Sequence, residues 1–283
     1  MEAVMTDTTG WVAARTLWQS TEPLHAVTYF APEALDAFRE AGLRGWRRGY
    51  FAGRAAPLGP VAPEPVTAAF FNFAPSMVAR ALPEVWGITP PERALELRLS
   101  GARAALRRLL AGREKEAERA AELLGACVTG LDCAGRVLAA ANAALGLPEE
   151  PLERLWQAAT VLREHRGDGH VAALVAAGLD GCEVLVLRAG IDLPRSELQP
   201  YRGWTDEEWE AAGSRLRERG LLGADGRATD AGCRLQAAVE EATDRAAGRA
   251  VPADAGELAD VLAPLAEACA AELRYPNPIG LGR

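Results

Sequence analysis

A mainly α-helical protein is what this sequence predicts, and three observations predict it. Alanine and leucine dominate while β-branched residues are sparse, which favours helix over strand. Apolar residues recur at three- and four-residue spacing through long stretches of the chain. Prolines and glycines fall between those stretches, several prolines standing where the first turn of a helix would begin. At 283 residues the chain exceeds the usual single-domain size, so two domains are expected. LPEEP at 147–151 is the natural boundary. It gives a helical domain over 1–147, a second domain over 151–250, and a C-terminal helix and tail over 251–283.

Taken in order, residues 10–22 predict a first helix with Trp11, Ala14 and Trp18 on one face, ended by Pro23. Pro32 suits the first turn of a second helix. Gly42 and Gly45 punctuate a segment that mixes Trp46, Tyr50 and Phe51 with Arg44, Arg47, Arg48 and Arg54. VTAAFFNF, 66–73, reads as buried, and Pro75, Pro83 and Pro90–Pro91 each precede a turn or helix. From Pro91 to about Leu124 the pattern is one long amphipathic helix, and a further helix covers about 137–145. A helix bearing Trp156 leads into REHRGDGH at 163–170, where Gly167 and Gly169 read as a break and Asp168 as the cap of a helix starting at His170. Thr205 followed three residues later by Glu208 is a capping box. Its helix carries Trp209, Ala212 and Leu216 and stops at Gly220. Asp225-Gly226 then predicts a hairpin turn, and Thr229 or Asp230 caps a last long helix.

Charge and cysteine usage narrow the function classes. A formal charge of −8 works against a protein that coats nucleic acid, because phosphate contacts need clustered Lys and Arg. Five cysteines, an odd number without CxxC spacing, fit reduced thiols better than a disulfide framework or zinc knuckle. The first residues carry acids and no basic-then-apolar signal pattern, and no apolar run reaches the roughly 20 residues of a membrane span. A cytoplasmic location is expected. No phosphate-binding glycine loop, GxSxG or HExxH occurs, so no cofactor is read from the chain.

The order helix, helix, hairpin, helix, with "RL…RGLL…DGR.T..G", resembles the winged helix-turn-helix of MarR-type regulators over about 151–248. The whole chain is also similar to a helix-turn-helix family of actinobacterial proteins, through LREHRGDGHVAAL, RGWTDEEW and FAGRAAPLG. These resemblances imply a helical N-terminal half fused to a MarR-like winged helix with a short β-hairpin wing, and a homodimer joined through terminal helices. They imply no reaction. In one respect the chain departs from a DNA reader. The first turn of the recognition helix offers Asp206, Glu207, Glu208 and Glu210, which repel phosphates, while Arg215, Arg217 and Arg219 come late and Arg227 sits on the wing. Acids at a helix N-terminus also suit the macrodipole, with no partner at all.

The candidate site residues fall in two groups. REHRGDGH holds two of the three histidines, and three readings of it compete. His165 or His170 could act as acid–base with Asp168 and Glu164 while Arg163 and Arg166 hold an anionic group. The histidines could bind a metal together with His25. Or the charges form an internal salt-bridge network. In the second group, Trp46, Tyr50, Phe51 and Arg54, with His25, Tyr29, Phe71 and Asn72, either line a pocket for a planar or acidic small molecule or are core residues. The reading adopted from sequence is a small-molecule-binding protein of regulatory type, with its pocket between the two halves and DNA binding weak or lost. The alternatives are an enzyme using the 163–170 cluster and a DNA-binding regulator using Arg215, Arg217 and Arg227.

Overall fold

A computed structural model of the chain describes residues 8–252 and 255–273. Its helices, in order, are α1 (Thr8–Phe30), α2 (Pro32–Glu40), α3 (Trp46–Ala55), α4 (Pro63–Phe70), α5 (Pro75–Ala79), α6 (Val85–Ile88), α7 (Pro91–Leu109) and α8 (Glu114–Val128). There follow α9 (Val137–Ala143), α10 (Pro151–Ala176), α11 (Glu183–Ala189), α12 (Arg195–Arg202), α13 (Asp206–Glu218), α14 (Asp230–Ala247) and α15 (Ala255–Ala270). Proline opens α2, α4, α5, α7 and α10, where its missing N–H has no helical partner to lose. Among the described residues no helix is long and apolar enough to cross a membrane.

Several boundaries differ from the sequence reading. Pro23 does not end α1, which runs on to Phe30. The carbonyl that Pro23 leaves without a donor belongs to Gln19, an exposed residue, so water can serve it. Beyond the proline, Leu24 and Val27 are fully buried, which offsets the local penalty. The Trp11 side chain of the expected apolar face lies outside the described residues, as does the tail at 274–283. The single helix expected from Pro91 to Leu124 is two, α7 and α8, parted at Gly112 in the left-handed region (φ 82). VTAAFFNF is buried only at Val66, Phe70 and Phe73, because α4 turns every fourth residue inward.

The helix break expected at 167–169 is absent, and α10 is continuous through both glycines. Gly169 is there for close approach instead. A Cβ on it would stand 2.6 Å from Arg136 Nη1 and 3.3 Å from the Ala246 Cβ on α14. The expected β-hairpin wing is likewise reduced. Among the described residues there is no strand, only an isolated antiparallel bridge between Leu222 and Ala228, closed by Gly223 N–H to Arg227 O at 2.8 Å. Thr229 caps α14 by accepting from Gly232 N–H at 3.2 Å, so that cap falls on Thr229.

The chain divides into two compact units, each drawn from separate stretches. The first takes Met1–Ala34, Leu99–His170 and Glu241–Glu272, and the second Leu35–Arg98, Val171–Glu240 and Leu273–Arg283. The boundary expected at 147–151 lies inside the second stretch of the first unit. In the first unit α15 packs against α1 and α8, and the core gathers Leu24, Leu106, Leu124, Trp156, Leu262 and Leu265. Each such side chain contributes about 1.5–3 kcal/mol on leaving water. In the second unit α11 packs against α12 and α13, with Leu185, Leu187, Trp209, Leu216 and Val239 at the centre.

Two glycines set how closely the second unit can pack. A Cβ at Gly181 would lie 2.1 Å from the Phe71 carbonyl oxygen, and one at Gly232 would lie 2.2 Å from that of Leu221. Backbone cannot yield as a flexible side chain can. Gly181→Ala or Gly232→Ala is therefore expected to destabilise the protein by about 3 kcal/mol, the upper range for overpacking. Gly256→Ala, where no atom stands within 4 Å, should be neutral or stabilise by up to about 1 kcal/mol. Urea midpoints measure both, and equal midpoints for all three variants would contradict the packing described.

Candidate functional site

In the first unit the 163–170 segment lies on α10 and is sealed in ion pairs. Arg163 Nη1 lies 2.9 Å from Glu164 Oε1, and its Nε lies 3.6 Å from Glu22 Oε1 on α1. Glu22 also accepts from Trp18 Nε1 at 3.0 Å. One turn on, Arg166 reaches Asp244 Oδ1 of α14 at 3.1 Å, and Arg15 of α1 reaches Asp244 Oδ2 at 2.6 Å. The Arg166 guanidinium sits 4.4 Å over the Trp18 ring. Glu22, Glu164 and Asp244 are all buried, and each is paired. Sequence reasoning missed Glu22 and Asp244, whose partners lie far along the chain.

Asp168 does not cap a helix starting at His170, since no helix starts there. Its Oδ2 accepts from Leu138 and Ala139 N–H at 2.9 Å each, so it caps α9. Arg136, just before α9, donates to the carbonyl of His165 and to that of Ala246 (2.7 Å). Asp168 and Arg136 thus tie α9, α10 and the end of α14 together.

The three histidines have three different sets of partners. Thr160 donates to Trp156 O at 2.8 Å, so its oxygen accepts from His25 Nδ1–H at 2.9 Å. That tautomer leaves Nε2 to accept from Tyr29 OH at 3.0 Å. The His25 ring stacks on Trp156 at 5.9 Å. His170 Nδ1 bonds Thr243 Oγ1 at 2.9 Å. His165 is 1% exposed with its Nδ1 unpaired, and burial, with Arg136 adding to it, pushes its pKa down to about 4. Among the described residues no three His, Cys, Asp or Glu side chains come together as a metal would require, so the three-histidine metal reading has no geometry behind it. Nor are four of the thiols activated. Burial raises Cys127 and Cys133 and pushes Cys182 and Cys269 up to about 12.

In the second unit the aromatic–arginine segment forms α3. Phe51 is fully buried, among Phe70, Phe73 and Tyr50. Arg54 donates to Tyr50 OH at 3.1 Å and lies 4.0 Å over the Phe70 ring. Phe71, at φ 59 in the left-handed region, turns the chain after α4, and the Asn72 carbonyl accepts from Trp204 Nε1 at 3.0 Å. These residues join the α4–α5 turn to the segment entering α13. Trp46, stacked on Tyr50 at 4.7 Å, also lines an open groove of about 570 Å³ with Arg44, Arg47, Arg48, Arg80 and Tyr201. The sequence reading had placed Arg44, Arg47 and Arg48 in this segment but passed over Arg80 and Tyr201, which arrive from distant stretches. In the first unit an apolar groove of about 470 Å³ between α1 and α15 has no ionisable side chain among its described lining.

The basic residues of α13 are largely engaged within the protein. Arg215 pairs with Asp180 (2.6 Å) and Glu183 (2.8 Å), and Arg219 with Glu183 (3.3 Å) and the Gly178 carbonyl (2.8 Å). Arg217 donates only to Ser214 at 3.1 Å among the described residues, and Arg227 has no acidic partner there. At the N-terminal end Thr205 and Glu208 form the capping box, while Arg195 bridges Asp206 (2.7 Å) and Glu210 (2.8 Å).

Helices α11, α12 and α13 follow one another across short turns, with α13 entered through its capping box and left through Gly220. The chain belongs to a helix-turn-helix family, whose model matches residues 14–276. No curated protein and no solved structure matches it.

The depressed His165 gives a pH test. The unfolded chain takes up this proton near pH 6.5, whereas the folded chain refuses it until about pH 4. Stability from this group is therefore complete above pH 6.5 and is lost as pH falls towards 4, with a slope of at most about 1.4 kcal/mol per pH unit. His165→Gln should flatten the wild-type slope between pH 6.5 and 5 in urea titrations. An unchanged slope would show that the imidazole is not held neutral.

Proposed function

We propose that this is a small-molecule-binding protein of regulatory type, built on a MarR-like winged-helix scaffold, in which α13 has ceased to read DNA. The observation that carries the second part is the use of Arg215 and Arg219. The Arg215 guanidinium meets Asp180 and Glu183, and that of Arg219 meets Glu183 and the Gly178 carbonyl, so both fasten the α13 end to the segment around α11. A recognition helix needs such groups aimed outward. The exposed first turn instead carries Asp206, answered by Arg195, and Glu207, whose charge repels a phosphate backbone. Ligand binding is supported by the arginine-lined groove beside Trp46. The enzyme alternative loses support, because His165 is neutral and buried and Asp168 is committed to capping α9.

The isolated Leu222–Ala228 bridge after α13 supports a vestigial wing, and the MarR-type resemblance supports a cytoplasmic homodimer. Family membership favours a second reading, a DNA-binding regulator, which would rest on Arg217 and Arg227.

Fluorescence anisotropy with duplex DNA from 50 to 200 mM salt separates the two, alongside thermal-shift measurements with small organic acids. Expected is DNA binding no tighter than the roughly micromolar-to-100 µM non-specific range, with a shallow salt slope, and a stabilising shift from at least one small acid. Affinity that falls roughly a thousandfold or more over that salt range, and drops in Arg217→Ala/Arg227→Ala, would sink the proposal in favour of a working regulator.

A further inference from the structure

We infer that the groove at the N-terminus of α3 is a binding site for a small phosphate-bearing compound with a planar ring, of the nucleotide type; the inference rests on the ligand-binding reading above. The groove lies wholly in the second unit, between the start of α3, the α5–α6 turn and α12. Arg44, Arg47, Arg48 and Arg80 line it. Arg48 has Glu84 at 3.8 Å, with both side chains well exposed. Arg44, Arg47 and Arg80 have no acidic partner among the described residues. Four guanidiniums against one carboxylate leave a local charge of about +3 on a chain whose net charge is −8.

That placement is electrostatically costly when the groove is empty. Arg47 and Arg48 stand in the first turn of α3, whose N-terminus already carries the positive end of the helix dipole. No acid occupies that turn, and Gly45, at φ 83, offers no side chain to cap it. Backbone N–H groups and the guanidiniums lining the groove favour the same guest, a compact multivalent anion, and each guanidinium fork can meet two phosphate oxygens. Trp46 and Tyr201 add apolar wall, with Met77 on the floor, so a ring can lie beside the charge. A volume of about 570 Å³ suits a nucleotide-sized molecule.

The walls are held in place. Ala74 N–H donates to Arg202 O at 2.8 Å, joining the start of α5 to the end of α12. Gly203, at φ 80, takes the Met77 side chain so closely that a Cβ there would stand 2.7 Å from it. Trp46 stacks on Tyr50 at 4.7 Å. The backbone frame and the Trp46 wall are thus preset, and the exposed arginines order on the ligand as it binds.

The test is calorimetric titration of the full chain with ADP, inorganic pyrophosphate, adenosine and salicylate. Wild type, Arg47→Glu/Arg80→Glu and a control Arg227→Glu are compared, with melting curves to confirm that each variant folds. ADP should bind most tightly, pyrophosphate next and adenosine weakly or not at all. The double variant should weaken ADP by roughly tenfold or more, since charge-assisted contacts are lost, and the control should leave it unchanged. Absence of ADP and pyrophosphate binding at millimolar concentration, or equal affinity in the double variant, overturns the assignment. Duplex DNA binding that disappears in the double variant, with ADP inert, overturns it too and makes the groove a nucleic-acid contact. Salicylate binding alone removes the phosphate class while leaving the ligand-binding reading standing. That reading falls separately, on steeply salt-dependent DNA binding through Arg217 and Arg227.

Discussion

Asp244 is a buried carboxylate that two arginines must reach at once, Arg15 from α1 and Arg166 from α10. A carboxylate taken out of water alone costs several kcal/mol, and in practice it is tolerated only when paired. The pair therefore constrains geometry more than it adds stability. Helices α1, α10 and the end of α14 have one mutual placement that satisfies it, and any slip of a helical turn leaves an ion unmatched. Glu22, Arg163 and Glu164 repeat the demand one turn earlier along α10. Asp168 and Arg136 add a third tie about half a turn later, through the start of α9. A charged stretch between two apolar ones thus acts as a register mark for the helices around it.

This explains what was legible in the sequence and what was not. Caps and breaks that depend on neighbouring residues were readable: the Thr205–Glu208 box, the Gly220 stop and the prolines that open helices all stand where local chemistry places them. Features settled by partners far along the chain were not. Pro23 and the Gly167–Gly169 pair are helix breakers locally, yet α1 and α10 run through them because Leu24 and Val27 are buried beyond the one and α14 needs close approach at the other. The chemistry of 163–170 was unreadable for the same reason, since its answering groups, Glu22, Arg136 and Asp244, are remote in sequence. The Trp46 groove shows the opposite limit: three of its arginines were visible as a run, but nothing local announced Arg80 or Tyr201.

Charge also fixes how α13 sits on α11. Arg215 of α13 pairs with Asp180 and Glu183, and Asp180 in turn accepts from the Cys182 and Glu183 N–H groups at the start of α11. The arrangement holds the two helices in one register. Positive charge left unanswered gathers instead at the start of α3.

The pairing of α1 with α15 has a consequence for how the protein is made. Among the described residues these helices stand far apart in sequence, and their apolar faces share one core. During synthesis α1 leaves the ribosome long before α15 exists, with Leu24 and Val27 lacking that part of their cover. The chain meanwhile passes between the two units five times, so the first unit cannot close early around its own opening segment. Its core is completed only once α15 has been made. The nascent protein therefore carries an exposed apolar stripe until then, the interval in which a holding chaperone would find something to hold.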